Sequence, residues 1–306
     1  MYRKKKTLLL VTLSSLLAAG CSTGIGSPAD VGRPQQKKIA PQQGPPLRDL
    51  SPAEEVEVDR AEQYLVTQCI RRQGFRYWPL PVLSVPARKV GAYVVDDVAW
   101  ARQYGYGRAF DNAAQKANRD HPNIAYAKAL SKNQRVRYSR ALDGTFTDSI
   151  TIELPSGGSV RTPRDGCYAQ AREQLYGDYP TWFRAKKTVT SLTPLYVPRI
   201  LQDERLTSAV AAWSRCMTAA GRPFQSPDAI RRERESLIRG MTEEQALRSE
   251  SALAVTEAEC AQRTSLGKTT RALEAEYRNK VARDYAEEFT AYRQMRLSAL
   301  TRARNL

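Results

Sequence analysis

The sequence predicts a mainly α protein: a disulfide-stapled helical domain with one small β-hairpin and a long C-terminal helix, preceded by a disordered tether. Three observations predict it. Units of polar cap, apolar stripe and closing glycine recur along most of the chain, which is the punctuation of short helices. One stretch alone, "SITIELPSGGSVRT", alternates apolar and polar residues across a glycine turn, the signature of a hairpin. No proline follows Pro227, so nothing of that kind interrupts the C-terminal segment.

The elements follow in order. The chain opens with a positive run, Arg3, Lys4, Lys5 and Lys6, then an apolar run from Leu8 to Leu17, then the small residues Ala18, Ala19 and Gly20. This is the grammar of a secretory signal over residues 1–20. The apolar run is too short to span a bilayer, which takes about 20 apolar residues. Cys21 follows directly. Ser22 to Leu50 is rich in Gly, Pro and Gln, with few and scattered large apolar residues. It cannot bury enough surface to fold, so 21–50 is read as a flexible tether with a mean reach of about 30 Å.

Residues 51–306 form the helical domain. Ser51, Pro52 and Glu54 start a helix by a capping box. Its apolar face is Val58, Ala61, Leu65 and Cys69, and Gly74 ends it. Asp96 or Asp97 starts a shorter helix through Trp100 and Tyr104. Phe110 to Asn118 is helical, and another helix starts after His121 and Pro122. Ser131 and Gln134 box the next, stopped at Gly144. Then comes the hairpin, which needs helices to pack on. Asp165 caps a helix from Gly166 to Tyr176. Asp203 to Ala220 and a segment from Ser226 toward Gly240 are helical. Thr242 and Gln245 box a long segment whose stripe is Leu273, Tyr277, Val281, Tyr285, Phe289, Tyr292, Met295 and Ala299. Gly267 is the place where it would kink or divide.

The five cysteines bear on compartment and on folding. An odd count in an exported chain asks for an explanation. Four pair naturally if Cys21 is set aside, and Cys69, Cys167, Cys216 and Cys260 allow three connectivities. A short internal repeat chooses among them. "CIRRQGFRY" at Cys69 matches "CMTAAGRPF" at Cys216. "CYAQAREQLYG" at Cys167 matches "CAQRTSLG" at Cys260. If each unit closes its own bridge, the pairs are Cys69–Cys167 and Cys216–Cys260. The domain is then two stapled halves, about 51–192 and 193–306. Loop-closure entropy gives roughly 4 to 5 kcal/mol per bridge as an upper figure.

Two resemblances add to this reading. "LLAAGC" resembles the lipobox of bacterial lipoproteins, with Ala18 three places before the cysteine. The resemblance implies cleavage after Gly20 and a diacylglycerol on the Cys21 thiol, hence a protein held at the outer face of the cell membrane. The cysteine–glycine units, the "DGC" step and "WSRCM" resemble uncharacterised secreted lipoproteins of actinobacteria. That resemblance implies a largely helical cell-envelope protein and brings no activity with it.

Signals for chemistry are weak. His121 is the single histidine and reads as a loop residue. There is no HExxH, no CxxC, no P-loop and no GxSxG, so neither a catalytic set, a metal site nor a cofactor is expected. Glu257 and Glu259 are two apart on a helix, do not face one another, and read as solvated charges. No alternating strand–helix pattern supports a two-lobed solute-binding fold.

Charge is the remaining signal. The chain holds 48 basic and 32 acidic residues, and the leader removes only four of the basic ones. Such an excess favours anionic partners: anionic lipid headgroups, wall polymers such as teichoic acids, or another envelope protein. The secretory address excludes nucleic acid. The C-terminal basic residues Arg293, Arg296, Arg302 and Arg304 are the candidate contact set. The expected function is non-catalytic binding or scaffolding in the envelope, with an accessory enzyme or regulator of cell-wall metabolism as the alternative.

Overall fold

The computed structural model describes residues 47–306, so the leader, Cys21 and the tether up to residue 46 lie outside the described residues. The tether was expected to run free to Leu50. Its last residues instead join the body: Leu50 is buried in the core, and Arg48 pairs with Glu54.

Helix α1 (Pro52–Arg72) carries the expected capping box. Ser51 Oγ accepts from the Glu54 N–H, and the Glu54 carboxylate accepts from the Ser51 N–H at 2.8 Å. Val58, Ala61, Leu65 and Cys69 are its buried face. An irregular run with a short 3₁₀ turn at Pro86–Lys89 leads to α2 (Val98–Tyr104), α3 (Arg108–Asp120), α4 (Pro122–Ala129) and α5 (Lys132–Asp143). Strands β1 (Ser149–Glu153) and β2 (Ser159–Pro163) form the antiparallel hairpin, with Ile150 opposite Thr162 and Ile152 opposite Val160. Ile150 and Ile152 sink into the helical core, which supplies the packing that a lone hairpin lacks.

Next come α6 (Gly166–Tyr176), α7 (Tyr179–Thr190), α8 (Thr193–Leu201), α9 (Glu204–Ala219) and α10 (Pro227–Leu237). Asp165 precedes α6 but does not cap it. Its carboxylate accepts from the Thr145 N–H at 2.7 Å and ties the turn after α5 to the start of α6. The C-terminal segment is α11 (Glu243–Arg263), α12 (Leu266–Ala282) and α13 (Ala286–Ala303). It divides at Ser265, in the left-handed region at φ 58°, and at a 3₁₀ turn over Arg283–Tyr285. Gly267 is not the break. It lies buried inside α12, where a Cβ would run into Asp96.

Disulfides join Cys69 to Cys167 and Cys216 to Cys260. Their settings differ. Glu62 of α1 meets Arg172 and Tyr176 of α6, so α6 runs back along α1 from the bridge. The Trp213 indole donates to the Glu257 carbonyl and Cys216 joins Cys260, so α9 and α11 run in the same direction. The repeat in sequence therefore picked out the pairs, although the two bridged helix pairs are not copies. Disulfides persist in oxidising compartments, and among the described residues no helix is long and apolar enough to cross a membrane.

Two hydrophobic cores form, and they do not divide the chain at 192/193. The first gathers α1, α5, the hairpin, α6, α7 and α13. The second gathers residues 94–106 with α8, α9, α11 and α12. The halves are interleaved. An early segment containing α2 crosses to the second core, and the last helix returns to the first.

Glu257 fixes that crossing. It is fully buried, not solvated as expected from the sequence. It accepts from the Val95 N–H at 3.0 Å, from the Tyr106 hydroxyl at 2.7 Å and from Arg231 Nη1 at 2.9 Å. Burial pushes its carboxyl pKa up, and Arg231 and the other donors oppose that shift. A buried charge is tolerated when it is paired and hydrogen-bonded, and two of these three donors belong to the crossing segment.

Candidate functional site: a cationic pocket floored by aromatic rings

The C-terminal arginines are not a free contact surface. Arg293 pairs with Asp49 at 2.9 Å, Arg296 with Glu55 at 2.6 Å, and Arg304 with Glu57 at 2.8 Å. Arg302 donates to the Leu175 carbonyl at 2.8 Å, one of the last-turn carbonyls that a helix leaves without an internal partner. The stripe above them is spent inside as well. Tyr292, Met295, Ala299 and Leu300 pack in the first core, while Leu273, Tyr277, Val281, Tyr285 and Phe289 pack in the second. The four arginines thus clip α13 onto α1 and α6.

Two cations that make no ion pair among the described residues lie on α7. α7 lies in the stretch between Gly177 and Asp203, where sequence reasoning assigns no element although the residues carry a signal. Asp178 accepts from the Thr181 N–H at 2.9 Å as an N-cap, with Pro180 in the first turn. Tyr179, Trp182 and Phe183 then recur at the three- and four-residue spacing of one helix face, and all three are buried. One turn later come Lys186 and Lys187. Residues four apart meet on a helix surface. The Lys186 ammonium accordingly lies 5.6 Å from the Trp182 ring centre, and that of Lys187 lies 5.8 Å from Phe183.

These residues floor a pocket of about 410 Å³, within the size range of small-ligand sites. Val160, Arg161 and Thr162 of β2 form one wall, and Arg172 of α6 closes it. Register explains the wall. Thr162 and Val160 sit opposite the buried Ile150 and Ile152, so they share the inward face, and Thr162 shares a hydrogen bond of 3.0 Å with the Tyr179 hydroxyl. Arg161 donates to Ser149 Oγ and to the Phe146 carbonyl. Arg172 donates to Glu62 at 3.0 Å. Among the described residues no carboxylate comes within ion-pairing distance of Lys186 or Lys187. Burial pulls the Lys186 pKa down, with Arg172 and Lys187 adding repulsion, against attraction from Glu62 and Asp59.

The aromatic floor is stiff. Trp182 stacks nearly parallel to two tyrosines, with ring centres 3.7 Å from Tyr176 and 5.4 Å from Tyr292. Chemically, the pocket offers ammonium and guanidinium groups to an anion and ring faces to whatever carries it. No carboxylate, imidazole or thiol lines it. Among the described residues no three acidic, histidine or cysteine side chains gather as metal ligands. His121 sits at the start of α4. Its Nδ1 accepts from the Asn123 N–H, and its Nε2 lies 3.3 Å from the Pro79 carbonyl. Cys21, the expected lipidation site, lies outside the described residues.

No protein-family model matches the chain, and no curated protein or solved structure matches it either.

Proposed function

We propose that the chain is a lipid-anchored cell-envelope protein acting as a non-catalytic binding module, and that the α7 pocket is where it binds. The ligand is a phosphate-bearing group on a polyol or sugar, the chemistry shared by anionic lipid headgroups and anionic wall polymers. One observation carries the reading: two lysines without carboxylate partners stand over buried aromatic faces, one of them partly withdrawn from water. An ammonium held this way gains from an anion that replaces lost hydration. The leader, the lipobox resemblance and the paired cysteines supply the address. The absence of an acid, imidazole or thiol beside the lysines favours holding over transforming, and so favours binding over the alternative of an accessory wall enzyme.

The test uses the exported chain with Cys21→Ser, so that no acyl chain contributes. Poly(glycerol phosphate) and glycerophosphoglycerol are titrated at 0.1 M and 1 M salt. Polymer source and headgroup source are thereby separated. Binding is expected at low salt and should weaken at high salt as the screening length shrinks from about 10 Å to about 3 Å. K186Q/K187Q should bind at least tenfold more weakly. Equal binding by that variant sinks the proposal. The fourfold Gln variant of Arg293, Arg296, Arg302 and Arg304 should lose stability and keep the affinity.

A further inference from the structure

We infer that the strip Trp78–Pro86, "WPLPVLSVP", is a second surface, distinct from the α7 pocket, and that it docks against an anionic phospholipid bilayer. The strip joins the first core to the crossing segment and holds no charged residue. Its large side chains point outward: Leu80 is 38 % exposed, Leu83 54 % and Val85 39 %. Single exposed leucines need no explanation, but a contiguous apolar patch does.

The backbone here is clamped, so the exposure is not that of a loose loop. Asn123 accepts from the Trp78 N–H and donates to its carbonyl, each at 2.9 Å. Gln63 accepts from the Leu80 N–H at 2.9 Å. Ser84 Oγ accepts from the Ala87 N–H. Just beyond, Arg88 pairs with Glu55 and Asp59. Pro79, Pro81 and Pro86 fix their own φ angles. Polar contacts from α1 and α4, with one local hydrogen bond at Ser84, thus hold apolar side chains out toward solvent.

Grooves lie on both sides. One, of about 420 Å³, is walled by Leu80, Val82 and Leu83 and by the small apolar face of α3 at Ala113, Ala114 and Ala117. No residue of α3 is buried. The other runs against α1 and includes Arg60, Tyr64 and Arg71. Neither groove is lined by an acidic residue. Among the described residues Arg60 and Arg71 make no ion pair. Tyr64 is 47 % exposed, and Trp78 is half-buried with Arg76 over its ring at 5.1 Å.

Exposed aliphatics, an aromatic at their edge and unpaired arginines beside them are the combination that seats on a charged membrane surface. The placement agrees with an N-terminal attachment. The chain enters the body beside the start of α1, and the strip ends where Arg88 meets that same first turn.

The experiment uses the exported chain with Cys21→Ser and vesicles of phosphatidylglycerol with phosphatidylcholine, against phosphatidylcholine alone. Of the four tryptophans, Trp100, Trp182 and Trp213 are buried, so a blue shift of emission on adding vesicles reports Trp78. The parent should sediment with anionic vesicles and shift. L80Q/L83Q should bind at least tenfold more weakly and lose the shift, with L83Q alone intermediate. R60Q/R71Q should lose affinity for anionic vesicles. K186Q/K187Q loses any headgroup contact made in the pocket but should keep the blue shift at saturating vesicle, which separates this surface from the pocket. The inference is overturned by a parent that does not bind, by binding without the blue shift, by L80Q/L83Q that binds fully, or by a blue shift lost in K186Q/K187Q and kept in L80Q/L83Q.

Discussion

Replacing Gly267 with alanine should destabilise the protein, against the general rule for helices. At a compatible helical position Gly→Ala gains up to about 1 kcal/mol, chiefly by restricting the unfolded chain. Gly267 is the second residue of α12 and is buried against Asp96. An added Cβ would sit 2.6 Å from Asp96 Cγ and 2.8 Å from its Cβ, and closer still to Oδ2. The Cβ contact matters most, because rotating the carboxylate does not relieve it. Residues 95–97 would have to move, and they are held: Val95 N–H donates to Glu257, Gln262 donates to the Asp96 carbonyl at 2.8 Å, and Asp97 caps α2. Overpacking costs about 1–3 kcal/mol. With these anchors the upper part applies, leaving a net loss of about 1–2 kcal/mol. For a body of this size that lowers Tm by about 2–4 °C. The assay is urea and thermal unfolding of the disulfide-intact protein, read by tryptophan emission. D96G removes the obstructing side chain. In that background G267A should become stabilising by about 1 kcal/mol, a coupling of about 2–3 kcal/mol across the cycle. A G267A protein as stable as the parent, or a cycle without coupling, would refute the reasoning and restore Gly267 as a simple helix-weakening residue.

Two further outcomes follow from the same contacts. Y106F removes a hydroxyl that donates to a buried carboxylate and should cost about 1.5–3 kcal/mol in urea unfolding; a loss under about 0.5 kcal/mol would mean that Arg231 and the Val95 N–H satisfy Glu257 without it. Acid should loosen α13. Arg293 holds Asp49 below the usual carboxylate range, Arg48 holds Glu54 down at about 2, and Arg304 holds Glu57 down. Groups with depressed folded pKa values stabilise fully above the unfolded value near 4 and lose that contribution as pH falls through the folded value, so rate-corrected hydrogen exchange in α13 should rise between about pH 4 and pH 2 and change less in R293Q/R304Q.

Apart from the disulfide pairs, which the repeat marks across 98 and 44 residues, what is legible in the sequence is local. Ser51, Ser131 and Thr242 each complete a capping box within three residues, and the structure shows all three boxes. The hairpin needed only its alternation and its Gly157–Gly158 turn. What was illegible depends on partners far along the chain. Glu257 looked solvated because nothing near it in sequence reveals that Val95 and Tyr106 arrive from the other half. Arg293 looked free because Asp49 stands at the opposite end of the domain. The pocket was hidden for the same reason. Its walls come from β2, α6 and α7, and the spacing of Tyr179, Trp182 and Phe183 marks a buried face without revealing what the following lysines would find there.

The C-terminal helix still bears on the proposed site, though not as its contact surface. Tyr292 of α13 and Tyr176 of α6 stack on Trp182 with planes 7° and 9° apart. These contacts hold the Trp182 ring in place beneath Lys186. Arg296 lies 5.2 Å from the Tyr292 ring centre and pairs with Glu55. The arginines that read as a ligand-binding face thus brace the helix that braces the floor. Damage to this clip should reach the pocket as looseness of the aromatic floor before it reaches the charge that meets a ligand, because Lys186 and Lys187 stand on α7 itself.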